Sequence, residues 1–263
     1  MARGHLEAEP SRRGGYSRKA ELLHRLLKGR PTTEVVLSTV DELLQPGVLT
    51  QGREATIAVR ALGRCGCWQE ALALLGEMES RGLVPNAITC SAAISACERR
   101  GRWREALQLL HDAWERQDAE AAPDVVVCNA AISACVAGQE MAWALRLREE
   151  MERRNLEPNT VTFNAVLRAC RGAGSWRLAL GLVAEMQRRG LALDEVTYSS
   201  AISSCREGGR WELARSLLEQ AKRQGLETDV VMYGAFIAVA ERALQWRQAS
   251  LTLVELRCRD LPV

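Results

Sequence analysis

Nine cysteines are the residues of this 263-residue chain most able to do chemistry. Thiolates hold zinc, pair as disulfides or attack electrophiles, and Cys65 with Cys67 forms a Cys-x-Cys pair. No second pair and no nearby His completes a zinc set, and His5, His24 and His111 are scattered without a Ser or Cys partner at any recurring distance. Cys97, Cys135, Cys170 and Cys205 follow one another at intervals of 38, 35 and 35 residues. One repeated position on successive packed helices would place them roughly 10 Å apart, beyond disulfide reach, so they read as small buried hydrophobes. An odd count also suits a reducing compartment. No catalytic motif is visible, and neither a metal nor a cofactor is expected.

Two other residue types recur. Trp68, Trp103, Trp176, Trp211 and Trp246 are separated by 35, 73, 35 and 35 residues, with Met141 at the skipped place. Their rings could stack on bases, or could pack beside the Ala that follows three residues on, at Ala71, Ala106, Ala144, Ala179, Ala214 and Ala249. Arg64, Arg99 and Arg242 share a second repeated place and are candidate phosphate contacts, although Ala137, Gly172 and Glu207 interrupt the series. A solvated charged face explains them too.

These periodicities define the elements that must position such residues. Ser91-Ala-Ala-Ile-Ser-Ala-Cys97, Asn129-Ala-Ala-Ile-Ser-Ala-Cys135, Asn164-Ala-Val-Leu-Arg-Ala-Cys170 and Ser199-Ser-Ala-Ile-Ser-Ser-Cys205 are copies of one segment. A fixed period of this length is the mark of a solenoid. The units are 52-86, 87-124, 125-159, 160-194, 195-229 and a truncated 230-263. The three extra residues of the second unit fall in 116-122. Within 160-194, Val161, Phe163, Val166, Leu167 and Cys170 keep helical spacing, Gly172 and Gly174 break it, and a second helical run starts at Trp176. Each unit is therefore a helix-turn-helix that buries its apolar faces only by stacking on its neighbours. The fold class expected is all-α, an α-solenoid of stacked hairpins forming a right-handed superhelix. Residues 17-51 read as an N-terminal helical cap, with helices over Arg18-Lys28 and Thr33-Leu44. Residues 1-16 read as a flexible basic arm or the remnant of a presequence.

Composition limits the functions. The content is 47% hydrophobic and 26% charged, as in folded globular chains. No run of about 18 apolar residues exists to span a membrane. A net charge of +2 is too small for binding driven by phosphate neutralisation alone. The first thirty residues hold eight Lys/Arg against three Glu, a bias in the direction of an organelle presequence.

Val161-Thr-Phe-Asn164, then Ala179-Leu-Gly-Leu-Val-Ala-Glu-Met186, then Gly190-Leu-Ala-Leu-Asp194 resemble pentatricopeptide repeats of the P type. The resemblance runs from residue 52 to 263. It implies that the fifth residue of each unit, helped by the thirty-fifth, reads one base of single-stranded RNA, while an apolar second residue wedges between bases. The implied pairs are Thr56 with Asn86, Ser91 with Asp124, Asn129 with Asn159, Asn164 with Asp194, and Ser199 with Asp229. By the family's usual pattern they read A, G, C, U and G. The implied wedges are Ile88, Val126, Val161, Val196 and Val231. Arg53 takes that place in the first unit, and Gly234 the reading place in the last.

The resemblance implies an RNA-binding adaptor in a chloroplast or mitochondrion, serving transcript processing, stabilisation, editing or translation, together with other RNA-processing proteins. With no catalytic motif visible, no enzyme activity and no small-molecule substrate are expected; a nuclease or editing enzyme would require a separate catalytic domain positioned by the repeats. A helical-repeat scaffold for protein partners is the alternative. The fifth positions distinguish them, since a peptide binder has no reason to keep Thr, Ser, Asn, Asn and Ser there.

Overall fold

A computed structural model describes residues 12–27, 31–45, 48–116 and 122–257. Among them are fourteen helices and no strand: α1 (Arg12–Leu27), α2 (Thr33–Leu44), α3 (Gly52–Cys65), α4 (Trp68–Ser80), α5 (Ala87–Glu98), α6 (Trp103–Glu115), α7 (Val125–Ala137), α8 (Met141–Arg153), α9 (Thr160–Gly172), α10 (Trp176–Arg188), α11 (Glu195–Ser204), α12 (Trp211–Arg223), α13 (Val230–Arg242) and α14 (Trp246–Arg257). The chain is an all-α solenoid of helical hairpins. Residues 1–11 of the expected basic arm, most of the 116-122 insertion and the last six residues lie outside the described residues.

The turn inside each hairpin is fixed two residues before the second helix. Gly66, Gly101, Gly174 and Gly209 take positive φ there, as do Gln139 (φ 62°) and Leu244 (φ 57°). A left-handed residue ends a helix and satisfies its last carbonyls, which is why Gly is favoured. Leu244 holds that conformation at a steric cost, with its side chain 73% exposed.

First helices form one row, α3 against α5, α5 against α7, and onward to α13. Each second helix from α4 to α12 packs on the first helix of its own hairpin and on that of the next, and α14 packs on α13. Consequently no hairpin owns its core. Ile94, Ile132, Phe163, Tyr198 and Tyr233 are fully buried between neighbours. Two first helices come close at Gly63 of α3, where an added Cβ would lie 2.6 Å from the backbone oxygen of Ala92 in α5.

Cys97, Cys135, Cys170 and Cys205 are buried free thiols, joined by Cys90 and Cys128. Burial pushes Cys97 and Cys170 up to about 11, and Cys128 and Cys135 up to about 12. Neutral and enclosed, they pack as hydrophobes. No cluster of His, Cys, Asp and Glu among the described residues could hold a metal. Trp68, Trp103, Trp176 and Trp211 are half-buried against the core. Trp103 covers Gly138 of the following hairpin, and Trp176 covers Gly208. These rings lock one hairpin to the next.

At the N-terminus, α1 packs on α2 and both pack on α3, the same neighbour relations that a repeat hairpin has. Helix α1 starts at Arg12, so residues 12-16, expected as part of a flexible arm, are helical. With Leu22 and Leu26 buried, the helix is already nucleated and extends at little further cost.

Leu244→Gly should raise stability by about 1 kcal/mol, because the left-handed penalty disappears. Gly63→Ala should lower it by about 1–3 kcal/mol, through overpacking against α5. Urea unfolding followed by circular dichroism measures both.

Candidate nucleic-acid interface

The face made by the first helices carries a groove of about 630 Å3 between α3, α5 and α7. Its lining includes Arg60, Arg64, Ile88, Ser91, Arg99, Asp124 and Val126. Three kinds of side chain converge there: an apolar second residue, a polar pair, and arginines. No tryptophan lines it.

From the second repeat unit onward, the second position of each hairpin is apolar and turned outward. Ile88, Val126, Val161, Val196 and Val231 are between 47% and 64% exposed, while the third residues beside them, Thr89, Val127, Thr162, Thr197 and Met232, are fully buried. A helix start produces that contrast, since neighbouring residues point about 100° apart. The exposed residues form a regularly spaced apolar ridge along the first-helix face.

The thirty-fifth residues have a structural duty that spacing alone does not reveal. Asn86, Asp124, Asn159, Asp194 and Asp229 are the N-caps of α5, α7, α9, α11 and α13. Their side chains accept from the backbone N–H of Thr89 (2.9 Å), Val127 (2.9 Å), Thr162 (3.1 Å), Thr197 (2.8 Å) and Met232 (2.8 Å). Asn and Asp are favoured here because a short side-chain oxygen reaches a donor that has no partner within the helix. The signal is present in the sequence as Asn or Asp directly before each apolar run.

Capping brings the thirty-fifth residue beside the fifth residue of the preceding helix. Asn164 Nδ2 donates to both carboxylate oxygens of Asp194, each at 3.0 Å. Asn129 Nδ2 approaches Asn159 Oδ1 at 3.5 Å. Thr56 does not reach Asn86 directly. Its hydroxyl lies 2.7 Å from that of Thr89, which donates to Asn86 Oδ1 at 2.8 Å. The Ser91 hydroxyl makes no hydrogen bond among the described residues, and Ser199 Oγ donates to its own helix at Val196 O (3.2 Å). No such bond joins Ser91 to Asp124 or Ser199 to Asp229.

The arginines differ in their freedom. Arg64 Nη2 donates to Leu26 O at 2.6 Å, which anchors α1. Arg242 lies 3.9 Å from Glu207. Arg99 is exposed and pairs with no carboxylate among the described residues. Arg60 of the groove and the exposed Arg168, whose Nη2 reaches Ser133 Oγ (3.4 Å), were not singled out from the sequence. Both stand four residues after a fifth position and so share its helix face.

A family model described as the PPR repeat family matches residues 123–172 and 158–207. One described as the PPR repeat matches residues 56–83, 88–117 and 196–226. Together they cover more than half of the chain. No curated protein matches the sequence. The crystal structure of the pentatricopeptide repeat protein PPR10 from maize is similar at a TM-score of 0.55 and 20% identity, covering 95% of this chain and 41% of that one. The same protein in complex with an 18-nucleotide psaJ RNA element is similar at 0.53 and 20%, covering 95% and 42%. The PPR domain of Arabidopsis thaliana protein-only RNase P 1, in complex with tRNA, is similar at 0.54 and 18%, covering 65% and 88%. At these identities the likeness shows the fold. This chain thus spans about two fifths of the length of maize PPR10.

The ridge and the caps are separable by mutation. Val231→Ser should change stability by less than about 0.5 kcal/mol, because its side chain already faces water. Asp229→Ala should cost about 1 kcal/mol through the lost cap of α13. Urea midpoints of the two variants check the assignment.

Proposed function

Because the chain belongs to the pentatricopeptide repeat family, we propose that it binds single-stranded RNA along the face of its first helices, taking one base per hairpin. The observation that carries this reading is the repetition itself. Four successive hairpins, from Ala87 to Asp229, present an exposed apolar second residue together with a fifth and a closing residue that carry donors and acceptors. A ligand that suits such a row is a polymer with a flat apolar face and a polar edge in every unit, which describes a single strand of nucleobases.

In this reading Ile88, Val126, Val161, Val196 and Val231 slide between bases, and the five pairs meet their edges. The preferred sequence is 5′ A G C U G 3′. Arg53 at the first wedge place, and the enclosed Thr56 hydroxyl, weaken the first base. Arg60, Arg99 and Arg168 meet phosphates, a contribution that is sequence-independent and screened by salt. A five-base match recurs by chance about once per thousand nucleotides, so a unique transcript site requires partner proteins or further repeats. The biological role proposed is that of a non-catalytic adaptor for organellar transcripts in a chloroplast or mitochondrion, and the basic bias of the first thirty residues supports that placement.

Asn159→Asp combined with Asp194→Asn exchanges the third and fourth pairs while keeping two good N-caps. The unmodified chain should bind RNA containing AGCUG at least about fivefold more tightly than RNA containing AGUCG, and the double variant should reverse that order. Fluorescence anisotropy at fixed salt, with a DNA strand as control, measures it. Equal affinity of the unmodified chain for all three strands would instead favour the protein scaffold.

A further inference from the structure

The buried third residue of each hairpin follows the chemistry of the reading residue in the hairpin before it. Where the fifth residue is Thr56, Asn129 or Asn164, the third residue of the next unit is Thr89, Thr162 or Thr197. Where the fifth residue is Ser91 or Ser199, the third is apolar, Val127 or Met232. All five are at most 1% exposed, so none of them can touch a ligand. Yet each of the three threonines places its hydroxyl 2.7 Å from the oxygen of its reading residue.

The two asparagines show what the hydroxyl does. Thr197 Oγ1 donates to Asn164 Oδ1, lies 2.8 Å from Asp194 Oδ1, and accepts from the Asp194 backbone N–H at 3.3 Å. Thr162 repeats the arrangement with Asn129 (2.7 Å) and Asn159 (3.2 Å, and 3.2 Å from its backbone N–H). An Asn amide has two orientations related by a flip that exchange its donor and acceptor. A base edge that pairs with one is mismatched to the other. With the threonine proton on Oδ1 and the thirty-fifth residue beside Nδ2, only one orientation satisfies both neighbours. A Ser hydroxyl rotates freely to donate or accept and has no flip to settle. An apolar residue beneath it is sufficient.

We infer that Thr162 and Thr197 are positioning residues that set base discrimination from inside the protein, by locking the amide flip of Asn129 and Asn164. Thr89 holds the Thr56 hydroxyl by the same contact. The inference rests on the base reading proposed above. Read this way, the specificity of a hairpin depends on three side chains, the third belonging to the buried layer of its neighbour.

The test compares the full chain with Thr197→Val, Thr197→Ser and Thr162→Val, using RNA containing AGCUG and its single-base variants. Loss of one net hydrogen bond predicts that Thr197→Val lowers discrimination at the fourth base roughly three- to tenfold and leaves the third base unchanged. Thr162→Val should do the reverse. Thr197→Ser should restore the fourth base, since it restores the hydroxyl. A purely structural role predicts a different pattern, with discrimination falling equally at all bases or not at all, and either result overturns the inference. A readout without RNA is available if a variant is too unstable for titration. The Asn164 side-chain amide protons should exchange with water more slowly than those of exposed Asn155, and equal exchange rates in the unmodified chain would overturn the inference as well. If the unmodified chain shows no base preference, it is the RNA-reading proposal that fails.

Discussion

A hydrogen bond from a helix-starting N–H to the side chain just before it recurs at five junctions of this protein. It does two things at once. It closes the first turn of each new first helix, where four backbone donors lack partners, and at Asn159 and Asp194 it also holds the capping side chain against the fifth residue of the helix before. Asp194 is the clearest case, accepting from Thr197 N on one side and from Asn164 Nδ2 on the other. Structure and the candidate interface are joined in that one residue. Exchange of Asn for Asp there changes hydrogen-bonding character while leaving a serviceable cap, so the position can vary without dismantling the hairpin.

Everything else keeps those junctions in register. Left-handed residues two places before each second helix set the hairpin angle, and Trp103 and Trp176 seat each hairpin on the turn of the next. Because the core is shared between neighbours, a change at one interface is felt locally, as expected for a quasi-one-dimensional array. The same arrangement explains why the valine ridge survives in water. Isolated exposed valines cost little, and they stand at helix starts where the adjoining third residues already supply the burial.

Much of the fold was legible because the period is written in residues of distinct size. Cysteines at one place and tryptophans at another returned with the repeat, and the cysteines proved buried at every return while each of those tryptophans opens a second helix. None of the tryptophans, ambiguous between stacking and packing in sequence, lines the first-helix groove; Trp103 and Trp176 sit against neighbouring turns, and Trp246 in the last hairpin is exposed. The start of α1 at Arg12 was hidden because a helix extends past its apolar anchors without a periodic signal. Capping by the thirty-fifth residue was visible in principle as Asn or Asp before each apolar run. The part played by Thr162 and Thr197 was not. A threonine inside an amphipathic run reads as filler until the asparagine of the preceding hairpin is seen within hydrogen-bond distance, across 33 residues of sequence. Arg60 and Arg168 were missed for a similar reason, since only the helical turn places them beside the fifth position.

The most direct measurement of the central claim is selection from a random RNA pool with the purified chain, followed by sequencing of the bound fraction. One-base-per-hairpin reading predicts enrichment of a single-stranded five-base motif, AGCUG, with the weakest constraint at its first base. Enrichment that is flat across all five-base words, or that follows RNA secondary structure instead of sequence, would contradict it.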